Sequence, residues 1–321
     1  MRAFDFAVPH DIDDALGLAR DESAFLAGGT TLVDLMKLEV VSPEQVIDIN
    51  RLPLHGIRPE PDGLRVGALE RMEDVARHPA VAGPYPVIAQ ALLASASPQL
   101  RNMASIGGNL LQRTRCGYFR DVATPCNKRS PGTGCPAQHG DNRGHAILGT
   151  SASCAATHPS DLAVALVALE ASVRLRGADG ERTMPLADFY LPPGDTPHVE
   201  NRLRPGELIT EVIVPPLPWA GRSRYVKVRD RQSYEFALAS AAVAVDLHDG
   251  EVRDARVAVG GVGTVPWRLP AVEDALRAGR SHEEAAALAA AGARPLAGNA
   301  FKVTLVQRAI LRALTELAGP R

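Results

Sequence analysis

The chain has 321 residues, 45% hydrophobic and 22% charged, with 35 basic against 37 acidic side chains and a formal net charge of -2. At ~100–200 residues per domain this is two or three globular domains, and a near-neutral chain with 4% aromatics lacks the basic field and stacking surfaces of a nucleic-acid binder. No stretch approaches the ~18 consecutive apolar residues of a membrane-spanning helix, and the opening MRAFDFAVPHDIDDALG places aspartates where the apolar region of a signal peptide belongs.

Three blocks follow in chain order. In the first, 1–55, residues 11–20 set Ile12, Ala15, Leu16 and Ala19 on one helical face with Asp11 as N-cap. A short strand from Ala24 to Ala27 runs into Gly28-Gly29-Thr30-Thr31, then a helix over LVDLMKL and a strand from Val46 to Ile49. The second block, 56–217, reads as a strand at 64–68, helices at 71–77 and 86–97, and an irregular window at about 111–157. Beyond it come a helix capped by Ser160 and running to Leu169, a hairpin at 171–186, a loop and a strand at 207–215. Pro215, Pro216 and Pro218 mark the passage to a third block, 218–321. That block predicts an antiparallel meander (223–229, 237–247, 252–260) and helices near 270–278, 281–291 and 299–318. In the last helix Val303, Val306, Ile310, Leu314 and Leu317 form one apolar stripe. The pattern is α+β.

Two glycine-rich segments carry the first chemical signal, LAGGTTL at 26–32 and ASIGGNL at 104–110. Each reads either as a tight turn or as an anion-binding concavity built from backbone N–H groups. Together they could hold the two phosphates of one dinucleotide. Neither fits the G-x-G-x-x-G or Walker patterns.

The only cysteines are Cys116, Cys126, Cys135 and Cys154, spaced x9, x8 and x18. Four thiols in one window suit an iron–sulfur cluster, zinc, two disulfides or free core cysteines. Structural zinc prefers C-x2–4-C knuckles, which are absent here. Arg113, Arg115, Arg120, Lys128, Arg129 and Arg143 surround the window, and His139 and His145 lie between the third and fourth cysteines. No acid–base dyad or nucleophile stands out as catalytic.

AGGTTLVDLMK at 27–37 and SPQLRNMASIGGNL at 97–110 resemble the two flavin-pyrophosphate loops of the FAD-binding subunits of molybdenum hydroxylases. This is the family of xanthine dehydrogenase, carbon monoxide dehydrogenase and aldehyde oxidoreductase. HPSDLAVAL at 158–166, LRPGELITEVIVPP at 203–216 and YVKVRDRQSYEFALAS at 225–240 resemble its later signatures in order, so the likeness covers the whole chain. It implies a vanillyl-alcohol-oxidase/PCMH-type fold of two FAD-binding subdomains and a C-terminal α+β domain. Carried over by position, Leu26, Ala27, Gly28, Gly29, Thr30, Thr31, Leu32 and Val33 would hold the FAD pyrophosphate with Ser105, Gly107, Gly108 and Asn109. Asp161 would meet the ribityl chain, and Ile209 and Lys227 the isoalloxazine ring.

The insertion of about 40 residues that holds every cysteine resembles the family branch whose flavin subunit carries an additional [4Fe–4S] cluster. Its wording is nearest the bacterial periplasmic aldehyde oxidoreductases. The resemblance therefore implies cluster ligation by Cys116, Cys126, Cys135 and Cys154. It also implies partner subunits bearing the molybdenum cofactor and a [2Fe–2S] centre, and an external electron acceptor. A flavin subunit of 4-hydroxybenzoyl-CoA reductase or xanthine dehydrogenase type is the alternative. The compartment stays open: cytoplasmic, or exported with a signal-bearing partner.

Overall fold

Three short strands, β1 (Asp5–Ala7), β2 (Ser23–Leu26) and β3 (Gln45–Asp48), form a parallel sheet in the order β1-β3-β2. Parallel neighbours require crossovers, supplied here by the helices Ile12–Leu18 and Leu32–Lys37. The first starts as expected: the Asp11 carboxylate accepts from the Asp14 N–H at 2.8 Å. The computed structural model describes residues 1–319.

The second sheet is antiparallel and joins β4 (Ile57–Glu60), β5 (Gly63–Gly67), β6 (Ser172–Gly177), β7 (Gly180–Pro185) and β8 (Leu208–Val214) in the order β4-β5-β8-β6-β7. The third, also antiparallel, has β9 (Ser223–Val228), β10 (Ala239–His248), β11 (Glu251–Gly260) and β12 (Trp267–Arg268) in the order β12-β11-β10-β9. The helix Phe301–Ala318 covers β9 and β10, with Val306, Ile310 and Leu314 of the expected stripe fully buried. Each such side chain contributes about 1.5–3 kcal/mol relative to exposure.

Against β10 and β11 of the third sheet, and against the helix Pro86–Ala94, packs the helix Asp161–Ala168, capped by Ser160 and buried at all of its eight positions. It is apolar all round except at its first residue, the pattern of a core helix. That polar exception is Asp161.

The structure corrects several expectations. The helix predicted over 86–97 stops at Ala94. Ser95 is extended, Ala96 takes a φ of 48°, and Ser97 caps a new turn, Pro98–Arg101. Pro98 has no N–H with which to continue the earlier helix. Gly107-Gly108 is not a turn but the middle of the short helix Ile106–Leu110, whose Ser105 cap accepts from the Gly108 N–H at 3.2 Å. The cysteine window is not wholly irregular: helical turns at Gly117–Arg120 and Pro136–Gln138 begin directly after Cys116 and Cys135. The helix read at 281–291 is His282–Ala287, tightening into a 3-10 turn at Leu288–Ala290. No described helix is long and apolar enough to cross a membrane.

Candidate functional site

After β2 the chain crosses Gly28 and Gly29 into the helix Leu32–Lys37. Gly29 has a φ of 70°, and a Cβ on Gly28 would stand 1.9 Å from the carbonyl oxygen of Met103. The first glycine segment therefore lies backbone to backbone against the residues that lead into the second. The opening N–H groups of a helix lack intrahelical partners, and here Thr31 makes no side-chain cap bond.

A cavity of about 460 Å³ opens beside this junction, and Thr30, Thr31, Gly108, Asn109, Asp161 and Lys227 all line it. Leu26, Ala27, Gly28, Gly29, Ser105 and Gly107 are not among the residues that line it, and the Ala27 carbonyl accepts from Asn50 Nδ2 at 2.9 Å. Leu32 and Val33 form the first helical turn off the wall. Ile209 is elsewhere: it is buried on β8, opposite Leu175, within the core.

Asp161 is the polar centre of the cavity. Tyr225 donates to Oδ1 at 2.6 Å, Lys227 Nζ donates to Oδ2 at 2.7 Å, and the Ser95 hydroxyl lies 3.0 Å from Oδ2. Lys227 also donates to the Ala94 carbonyl at 3.1 Å, which explains why the helix before it stops there. An ionised carboxylate offers about four lone-pair sites. Three are engaged, leaving Asp161 one acceptor position for a ligand hydroxyl. Burial, and then the Asp161 charge, push the Tyr225 hydroxyl well above its ordinary value, so it keeps its proton and donates it to Asp161. Ser95 and Tyr225 escaped the sequence reading. Tyr225 and Lys227 alternate along β9 and so share a face, a signal that was available. Asn109 is turned inward, its Oδ1 accepting from the Ser160 hydroxyl at 2.6 Å.

All four cysteines border a second, small cavity together with Tyr118, Lys128 and His145. No pair is bonded as a disulfide. Among the described residues no group of three or more His, Cys, Asp or Glu side chains is arranged to hold a metal ion. Burial pushes the Cys116 thiol up to about 11 and raises Cys154, so these sulfurs ionise readily only against a metal's charge.

The surrounding basic residues are engaged elsewhere. Arg115 and Arg120 donate to Asp34 at 2.8 and 2.9 Å, Arg113 and Lys128 to Glu200 at 2.5 and 2.8 Å, and Arg143 to Asp230 at 2.8 Å. Arg129 donates to the Tyr118 and Phe119 carbonyls. His139 is exposed, whereas His145 is buried against Cys116.

The two cavities have no lining residue in common but are lined by near neighbours in the chain. Arg115 lines the first and the next residue, Cys116, the second, while at the far end of the insertion Ala156 lines the second and Pro159 the first.

The chain matches the FAD binding domain in molybdopterin dehydrogenase over residues 2–217 and the CO dehydrogenase flavoprotein C-terminal domain over residues 224–317. It is similar to the aldehyde oxidoreductase FAD-binding subunit PaoB of Escherichia coli (strain K12), 49% identical over 320 residues, covering 98% of each chain. It is also similar to the glyceraldehyde dehydrogenase medium chain of Sulfolobus acidocaldarius, 30% identical over 273 residues, covering 84% of this chain and 79% of the relative. Its fold matches a chain of the reconstituted CO dehydrogenase from Oligotropha carboxidovorans with a TM-score of 0.77 at 23% identity, covering 100% of this chain and 99% of that one. The chain thus belongs to the FAD-binding medium subunits of the molybdenum hydroxylase family.

Proposed function

We propose that this protein is the electron-transfer subunit of a molybdenum-dependent aldehyde oxidoreductase, with FAD in the larger cavity and a [4Fe–4S] cluster on Cys116, Cys126, Cys135 and Cys154. The observation that carries the reading is the convergence of all four cysteines on one cavity. Full-length similarity to PaoB supports the aldehyde as substrate class. The aldehyde would be oxidised to a carboxylate on a partner bearing the molybdenum cofactor. Electrons would arrive through a [2Fe–2S] partner subunit and leave to an external acceptor.

Bound FAD supplies a centre that accepts and releases electrons. This chain's own residues bind and orient it. The N–H groups and hydroxyls at Thr30 and Thr31 would hold the pyrophosphate, in a segment that includes Leu26, Ala27, Gly28, Gly29, Leu32 and Val33, together with the segment of Ser105, Gly107, Gly108 and Asn109. Asp161, held in place by Lys227 and Tyr225, would accept from a ribityl hydroxyl. No side chain needs to take up or deliver a proton to substrate, consistent with a relay.

The test is flavin, iron, sulfide and zinc content of anaerobically purified protein. One FAD and about four irons per chain, with iron lost and flavin kept in Cys126→Ala, is the expected result. Flavin with zinc or with no metal would remove the cluster, and aldehyde turnover by the isolated chain would remove the relay.

A further inference from the structure

We infer that His145 donates a hydrogen bond from Nε2 to the Cys116 sulfur and thereby raises the reduction potential of the four-cysteine site, a role that rests on the [4Fe–4S] reading above. The two atoms are 3.2 Å apart, and both residues border the cysteine cavity. His145 is 8% exposed, and its other ring nitrogen, Nδ1, is buried with no partner among the described residues. Among those residues Cys116 is thus the ring's one polar contact. An iron-bound thiolate carries no S–H and can only accept, so the shared proton belongs on Nε2.

The ring is held there by the C-terminal domain rather than by the insertion alone. The His145 N–H donates to the Asn142 carbonyl at 3.0 Å, and the His145 carbonyl accepts from Asn299 Nδ2 at 3.1 Å. One residue earlier, the Gly144 carbonyl accepts from Lys302 Nζ at 3.0 Å, and that ammonium also donates to the Gly261 carbonyl at 2.7 Å. Asn299 and Lys302 are wholly buried at the start of the last helix. The segment bearing His145 is therefore clamped on two sides, and the imidazole has little freedom to swing away from the sulfur.

A hydrogen bond to a cluster sulfur favours the reduced state, because the electron gained is spread partly onto the sulfurs. In a buried site of low dielectric the effect is larger than in water. The Ala156 N–H, 3.4 Å from Cys154 Sγ, acts in the same sense, but it is backbone and cannot be deleted by substitution. His145 is a side-chain donor and can be.

The test uses the full chain, purified anaerobically, as wild type, His145→Leu, His145→Phe and His145→Gln. Iron and sulfide are counted first, and the midpoint potential of the iron–sulfur EPR signal is then titrated. Leu removes the donor, Phe removes it while keeping an aromatic ring beside Tyr118, and Gln restores an N–H near the Nε2 position. The potential is expected to fall in whichever of Leu and Phe keeps its iron, and to return toward wild type in Gln. Full iron with an unmoved potential in Leu or Phe, or a Gln variant as low as they are, would overturn the role of His145. A wild type without about four irons would instead remove the cluster reading, and this inference with it.

Discussion

Lys302 is 0% exposed, yet its ammonium meets two carbonyls and, among the described residues, no carboxylate. Burial, with the Arg143 charge beside it, lowers its pKa to about 7, against 10.5 for an ordinary lysine. The sign of the linkage follows. Below about pH 7 the folded and unfolded chains are both protonated here and the penalty of the buried charge is present in full. Between about 7 and 10.5 the unfolded chain holds this proton while the folded one has released it, so stability rises with pH. The neutral amine still donates to both carbonyls. Lys302→Met strips those carbonyls of their partner, at about 1–3 kcal/mol for each unsatisfied group. Thermal melts across that window should show wild type gaining on the variant as pH rises. A constant gap between the two would mean that the ammonium is solvated.

At the scale of elements, the two glycine segments meet only because Gly28 has no side chain. A methyl group there would lie 1.9 Å from the Met103 oxygen and 2.9 Å from Ala104 Cα. Both obstacles are backbone, so no rotamer change relieves them. Overpacking of this kind costs about 1–3 kcal/mol. If the strain falls on the closed cleft, Gly28→Ala should weaken FAD by roughly five- to 150-fold in a fluorescence titration. Gly17→Ala, where the added Cβ meets nothing within 4 Å, should bind as wild type. Unchanged affinity in Gly28→Ala would show that the segments need not touch.

Elements with a long, regular period were legible from sequence: the final helix with its stripe, the hairpin of β6 and β7, and the Asp11 and Ser160 caps. β1 and β4 were not, because three or four residues with mostly exposed side chains carry no alternation to detect. The helix Ile106–Leu110 is hard to see in the sequence because paired glycines disfavour helix. The Ser105 cap and the Ile106/Leu110 spacing pointed the other way. Of the site, the cysteines and Asp161 stood out as residue types in motifs. Ser95, Tyr225 and His145 did not, since each takes its meaning from a partner distant in the chain: Asp161 lies 66 and 64 residues from the first two, and Cys116 lies 29 from His145.

At the scale of the whole molecule, the cleft draws Thr30 and Thr31 from the first sheet's domain, Gly108 and Asp161 from the second, and Lys227 from the third. The helix Asp161–Ala168 ties the last two together, its core face on β10 and β11 and its first residue bonded to Tyr225 and Lys227. Contacts so far apart in sequence carry the loop-closure cost that makes folding slow. The cleft is therefore assembled late, once all three parts have docked. A ligand that recognises only the assembled cleft favours the native state of the entire chain, by about 2.7 kcal/mol at a hundredfold excess over its Kd. Adding FAD to flavin-depleted protein should accordingly raise a single melting transition, whereas a C-terminal domain melting at an unshifted temperature would contradict this coupling. Because one buried helix links the flavin site to the third sheet, the fluorescence of released flavin should report the loss of the native state as a whole.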